Sequence, residues 1–355
     1  MNQEKSTQTP HISVAPMMDW TDRHCRFFLR LIAPNVRLYT EMVTVGALLH
    51  GDAERFLRFD ESEHPVALQL GGSDADDLAR CAEMGQKAGY DEINLNCGCP
   101  SDRVQSGRFG ACLMREPDHV ADCIEAMIKA VDIPVTVKCR IGVDDQDDQQ
   151  ALDEFVGRIA DKGCKTFIIH ARKAWLKGLS PKENRDIPPL NYERVTAVKK
   201  TFPDLEIITN GGIKTVEDIY SLLSPCKRGT LTGNKTDSRF RGKSDKAVDG
   251  VMIGREAYSN PYILAEIERK IFGNHDILGR EKIAKAMIEY AKNQAARYDT
   301  PIKSITRHII GLYHHQPGAK AWRQALSTLP HKDGAGPEVI EEALSAMKNH
   351  RKIAA

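Results

Sequence analysis

The sequence predicts an α/β protein: a (β/α)8 TIM barrel followed by a C-terminal all-helical domain. Eight short apolar runs alternate with amphipathic stretches over about 255 residues, the size and rhythm of such a barrel. A polar residue stands at the C-terminal end of nearly every run, where a barrel keeps its site. After about residue 272 the strands stop and only helical patterns follow. A doubly wound sheet also fits the alternation, but it more often shows fewer units.

The expected strands are Ser13–Met17, Leu38–Met42, Pro65–Gly71, Glu92–Gly98, Pro134–Ile141, Thr166–Arg172, Glu206–Gly211 and Asp249–Gly254. Between them, apolar spacing predicts helices at Asp74–Ala88, Glu116–Val131, Ala151–Lys162, Tyr192–Lys200 and Thr215–Leu223. Asp74 has the chemistry of an N-cap, and Gly89 of a stop. In the tail, Glu281–Arg297, Ile302–His314, Ala319–Thr328 and Pro337–His350 read as helices, with Pro317-Gly318 and Gly334–Gly336 breaking the later ones. The expected domains are 1–272, a catalytic barrel, and 273–355, a helical domain. A basic insert at 224–248 is too long for an ordinary αβ loop and is expected to be mobile at the N-terminal end of the barrel, away from the catalytic mouth.

Composition narrows the setting. With 41% apolar residues the chain can bury a large core. No apolar stretch is long enough to span a membrane. The start lacks an apolar signal region, and nine cysteines, an odd number, suit a reducing compartment, so a cytoplasmic location is expected. The net charge of +1 hides an asymmetry. Residues 271–355 hold 13 Lys/Arg against 8 Asp/Glu, and residues 227–246 hold 7 against 2, so the body before them is acidic. A basic face toward a polyanion and merely solvated basic helices fit this equally.

Reading the strand ends gives Met17 and Asp19, Glu41, Gln69, Asn94 with Asn96 and Cys99, Lys138 with Arg140, His170 with Arg172, Asn210-Gly211-Gly212, and Gly254-Arg255. Side chains two apart on a strand share a face. A lone Gln or Glu at such a place is more often a loop hydrogen-bonder, and a lone His a satisfied core residue. Lys138 and His170 at equivalent depth favour a site. The two glycine motifs suit a phosphate, from a flavin or from a sugar phosphate, with Arg255 as a charged donor. Cys97-x-Cys99 lacks common zinc spacing and no matching pair follows, so no metal is expected. Cys99, before Pro100, can reach the mouth; Cys25, Cys81, Cys123 and Cys164 read as buried structural thiols.

These residues resemble the tRNA-dihydrouridine synthases, and closely their bacterial A subfamily. The matching strings include VAPMMDWTDRHCR, LYTEMVT, HPVALQLGG, GYDEINLNCGCPSDRV, GRFGACLM, IPVTVKCRIG, FIIHARKAWLKGLSPKENRDIPPL, NGGIK, DGVMIGREAY, ITRHIIGL and PGAKAWR. The resemblance covers nearly the whole chain. It implies an FMN-binding barrel and a tRNA-binding helical domain, with NADPH as reductant. The implied activity is reduction of uridine to dihydrouridine in the tRNA D-loop, at positions 20 and 20a for this subfamily. Cys99 would be the proton donor. FMN would be held by Pro16, Met17, Met18, Gln69, Lys138, His170, Asn210, Gly211, Gly212, Gly254 and Arg255. Asn96 and Arg172 would face the substrate, and Lys182, Arg185, Thr306 and Arg307 the tRNA. No obligate protein partner is implied.

Two features depart from the subfamily pattern. Cys97 stands where an apolar residue is expected, and the 224–248 insert is foreign to it. Two other classes explain part of the sequence. A flavin barrel reducing free pyrimidines accounts for the strand ends but not for the basic helical tail. A non-catalytic RNA-binding protein predicts a colourless product.

Overall fold

The computed structural model describes residues 9–101, 104, 106–146, 148–223 and 248–354. The expected insert lies outside them apart from Val248. The chain divides into two compact units. The first holds residues 1–16, 37–58 and 64–254; the second holds 17–36, 59–63 and 255–355.

In the first unit, among the described residues, eight parallel strands form one sheet. They are β1 (His11–Val14), β2 (Leu38–Thr44), β3 (Val66–Gly71), β4 (Glu92–Cys97), β5 (Val135–Arg140), β6 (Thr166–His170), β7 (Glu206–Asn210) and β8 (Gly250–Ile253). The order is β1-β8-β7-β6-β5-β4-β3-β2. The open edges meet where Ser13 bridges Arg37: Val14 N donates to Arg37 O at 2.9 Å, and Arg37 N to Ile12 O at 3.0 Å. That closure makes the sheet a barrel, as the alternation predicts.

The outward strand positions are apolar and sealed. Ile93, Leu95, Val137, Phe167 and Ile207 are all 0% exposed. Each such side chain contributes about 1.5–3 kcal/mol by leaving water. The helices that cover them begin and end where the sequence dictates. Ala75–Lys87 is capped by Asp74, whose side chain accepts from Asp77 N, and Gly89 leaves it at φ 98°. Pro117 opens the helix Pro117–Ala130 at the position where a missing N–H costs nothing.

Inside the barrel the strands carry polar groups, and on β2 to β5 a set of these pair with one another. Glu92 accepts from Tyr39 OH, Thr136 Oγ1 and Arg37 Nη1, each at 2.6 Å. Asn94 Nδ2 donates to Thr136 Oγ1 at 2.8 Å, and Gln69 Nε2 to Asn94 Oδ1 at 2.7 Å. Buried polar groups are tolerable only when satisfied in this way.

Six of the eight strands stop one to three residues short of the expected C-terminal ends, while β2 runs on to Thr44 and β3 ends at Gly71 as expected. β1 ends at Val14, not Met17. Met17 O accepts from both Trp20 N and Thr21 N, so the chain has already turned, and Asp19 sits at φ 65°. Asp22 then caps an unforeseen helix, Arg23–Ile32, by accepting from His24 N and Cys25 N. That turn and helix belong to the second unit.

The second unit also holds the helices Arg280–Tyr298, Ile302–Ile309, Ala319–Thr328 and Glu338–Ala354. Apolar spacing predicts one helix over Ile302–His314; the chain instead tightens to a 3-10 turn at Ile310–Tyr313. There Gly311 passes so close to Ser259 that a Cβ would lie 2.7 Å from its carbonyl oxygen. Trp322, fully buried, donates Nε1–H to Ile309 O at 3.1 Å and meets Tyr313 edge-on at 4.9 Å. Among the described residues no helix is long and apolar enough to cross a membrane.

Candidate active site

The C-terminal ends of β3 to β7 bring together much of the predicted set. Strand register places Asn96 beside Lys138, Arg140 beside His170, and His170 beside Asn210. Lys138 Nζ donates to Asn210 Oδ1 at 3.2 Å, and Asn210 Nδ2 donates to Met252 O at 2.7 Å. Alternation along the strands aims these groups into the barrel and Cys97 and Cys139 away from it.

Asn96 organises the turn out of β4. Its Oδ1 accepts from Gly98 N at 3.1 Å and Cys99 N at 3.0 Å, while Nδ2 donates to Gln69 Oε1 at 2.8 Å. Among the described residues, the second N–H of its amide has no partner. Gln69 is likewise built into the interior network, with its own N donating to Thr40 Oγ1 at 3.0 Å. Cys99 follows, half-buried, with Sγ 3.5 Å from Ser101 Oγ. Its carbonyl accepts from Ala111 N at 2.9 Å. Gly110, at φ 78°, makes that approach possible, because a Cβ there would lie 2.6 Å from Cys99 O. Cys97 is a different thiol. It is fully buried, and burial pushes its titration well above the usual range.

The electrostatics are unusual for a barrel core. Burial, and then the charge of Arg140, bring Lys138 down to about 8. Burial holds His170 neutral, reinforced by Arg140, Lys138, Arg172 and Arg185. Burial brings Arg140 down to about 10. Among the described residues, no carboxylate is among the charges that dominate these three groups. A buried cation group of this kind favours an anion or an acceptor-rich ring.

The glycines add room. Gly211 and Gly212 have φ of 112° and 70°. A Cβ on Gly211 would lie 2.6 Å from His170 Cδ2, and one on Gly212 would lie 2.4 Å from Leu190 Cδ1. Nothing lies within 4 Å of a Cβ built on Gly254. Open space beside Gly254, backbone turned by successive positive φ values, and buried cations fit a phosphorylated flavin. Gly211→Ala is expected to lower stability by about 1–2 kcal/mol through the left-handed backbone alone, with more from the clash at His170. Thermal denaturation against the parent chain measures it, and an unchanged melting temperature would contradict the close packing.

The segment after β6 holds residues whose importance the sequence did not reveal. Asn184, 0% exposed, accepts from Trp175 N at 2.7 Å and donates to the carbonyls of Trp175, Leu179 and Ser180 at 2.9, 3.1 and 3.3 Å. Its neighbours Lys182 and Arg185 are exposed. Arg172 donates to Asp186 O at 3.3 Å and to Pro188 O, so in this structure it staples the same segment. Tyr192 OH, also unforeseen, donates to Gly211 O at 2.5 Å. Only the KENR and NGG strings around them were available as signals.

Pro16 closes the first unit's N-terminal part; Met17, Met18 and Arg255 belong to the second unit. Met18 is 56% exposed. In the second unit Arg307 is exposed and donates Nη2–H to Asp22 Oδ2 at 2.8 Å. His308 Nε2 lies 3.0 Å from the same oxygen. Burial works against the Asp22 carboxylate, but its bond to His308 and the nearby His308 and His24 charges hold it well below the usual range. Thr306 is buried, and its hydroxyl donates to Ile302 O at 3.2 Å. Its side chain is therefore turned away from solvent in this structure.

Comparison with known proteins adds an independent line. The dihydrouridine synthase (Dus) family pattern matches residues 13–233 and 237–349. A Vibrio cholerae protein named tRNA-dihydrouridine(20/20a) synthase is 52% identical over 341 residues, covering 96% of this chain and 97% of its own. Proteins of the same name from Shewanella oneidensis and Escherichia coli K12 are 50% and 52% identical, covering 95% and 96% of this chain and 93% and 92% of theirs.

Proposed function

The chain belongs to the dihydrouridine synthase family, and from that premise we propose that it reduces uridine to 5,6-dihydrouridine in the D-loop of tRNA, at positions 20 and 20a. FMN is the bound cofactor in this reading, NADPH the reductant and the cytoplasm the compartment. Residues 1–272 are the catalytic part and 273–355 the tRNA-binding part. The observation that carries the reading is the half-buried Cys99, held by Asn96 at the rim of a barrel end that holds the half-buried Lys138 and the buried Arg140.

Pro16, Gln69, Lys138, His170, Asn210, Gly211, Gly212 and Gly254 would hold the flavin, with Met17, Met18 and Arg255 assigned to it by motif. When bound, the flavin supplies hydride to C6 of the uracil ring. Negative charge then develops at C5 and O4. The Cys99 thiol donates its proton to C5, a transfer that a positioned acid accelerates by about 10²–10⁴-fold. The free N–H of Asn96 orients the uracil edge. Lys138 would lie against the flavin as a cation, and neutral His170 would hydrogen-bond flavin or substrate without adding charge.

On the RNA side, Lys182, Arg185 and Arg307 are the exposed cations that meet phosphate. The base leaves the folded loop to reach the mouth, as chemistry on a base requires.

The purified protein is expected to be yellow and to convert an unmodified tRNA transcript, but not free uridine, with NADPH. Raising salt from 50 to 200 mM should weaken tRNA binding by about tenfold or more, as phosphate contacts dictate. Comparable reduction of free uridine would move the protein to the small-molecule reductases. A colourless protein without NADPH turnover would make it a binding protein only.

A further inference from the structure

Arg140 is 4% exposed and donates to three main-chain carbonyls in two separate segments, one after β4 and one after β6. Its Nε–H reaches Gly98 O at 2.9 Å, and Nη1 reaches Lys173 O and Asn184 O, each at 3.0 Å. Gly98 directly precedes Cys99. Asn184 lies in the segment that presents Lys182 and Arg185, and its side chain folds that segment through four further hydrogen bonds. A buried cation whose bonds all go to neutral carbonyls is an expensive way to fill space; an apolar side chain of similar length would do so at less cost. The arrangement makes sense as a brace between two segments distant in sequence.

We propose that Arg140 is a positioning residue that couples the 173–186 segment to the Cys99 loop, so that the thiol is correctly placed only when that segment is folded. The inference rests on the function proposed above and deepens it. The segment that meets RNA and the loop that carries the acid are fastened to one guanidinium. Its planar fork spans carbonyls that a lysine ammonium cannot reach together. Substrate engagement and acid placement thereby become one event.

The test uses the full-length, flavin-loaded protein with Arg140→Met and Arg140→Lys. Iodoacetamide labelling of Cys99 is followed by peptide mass spectrometry, alongside kcat and KM for tRNA. Loss of charge-assisted bonds should change the Cys99 labelling rate by about tenfold and lower kcat by about tenfold or more. KM should move less than about threefold, because Lys182 and Arg185 remain. Arg140→Lys should recover only part of the loss. Labelling and kcat within about twofold of the parent in a folded Arg140→Met protein would overturn the proposal. Should Arg140→Met fail to fold, the same result in Arg140→Lys, which keeps the charge but not the fork, overturns it. Failure of the function reading looks different. The parent protein would then form no dihydrouridine from tRNA with NADPH, while the labelling change in the Arg140 variants would persist.

Discussion

Cys99→Ala is expected to retain flavin and to lose dihydrouridine formation by about 10²–10⁴-fold. The expectation follows from its position. Among the described cysteines, six are buried and only Cys99 and Cys112 are half-exposed. Cys99 alone of these two follows the Asn96 turn at the barrel mouth. Cys97, two residues earlier, points to the other face and is sealed, so it cannot take over. Cys97→Val should accordingly be nearly silent in the same assay. The measurement is single-turnover conversion of a tRNA transcript by pre-reduced enzyme, with dihydrouridine quantified by mass spectrometry. Near-parent conversion by Cys99→Ala would remove the thiol from the mechanism.

Lys138→Met should cost about 10²–10³-fold in the same conversion, the usual penalty for removing one preorganised donor from a developing charge. The pH dependence supplies a sharper signature. Burial, helped by Arg140, lowers Lys138 to about 8. Below that value the ammonium is present, and above it the neutral amine prevails. A lowered lysine therefore loses its charge as pH rises, and an anionic ligand moves the transition upward. The ratio of parent to variant rate is the diagnostic, since other titrating groups cancel in it. That ratio should be largest near neutrality and shrink above pH 8 or higher. A ratio independent of pH would mean that the charge of Lys138 does not contribute.

The barrel was legible because strands buried on both sides leave a plain mark. Apolar runs such as Thr166–His170 and Gly250–Ile253 are short, bounded by polar or glycine residues, and spaced by helices. Lys138 and His170 stood out because a charge or an imidazole in such a run is costly to bury unless a ligand or a partner compensates it. The Met17–Thr21 turn, by contrast, leaves no such mark. Its backbone closes on Met17 O through bonds that apolar spacing does not encode, so the apolar run overstates β1. Thr306 shows the limit from the other side. A motif transfers residue identity, but exposure depends on which face of Ile302–Ile309 the fold buries. Arg140 and Asn184 were harder still, because their partners are main-chain carbonyls, which any sequence possesses.

The interior network also has a direction. Glu92 stands at the start of β4, at the end of the barrel opposite Cys99. The Glu92 side chain accepts from Arg37 and Tyr39 as well as from Thr136, so the Thr136 hydroxyl donates to it and receives from Asn94. Asn94 must then offer its oxygen to Gln69, Gln69 its oxygen to Asn96, and Asn96 its oxygen to the amides of Gly98 and Cys99. One acid at the far floor thus sets the dipole sense of every amide up to the thiol's own N–H, and no single side chain along that relay can flip without unmaking its neighbours.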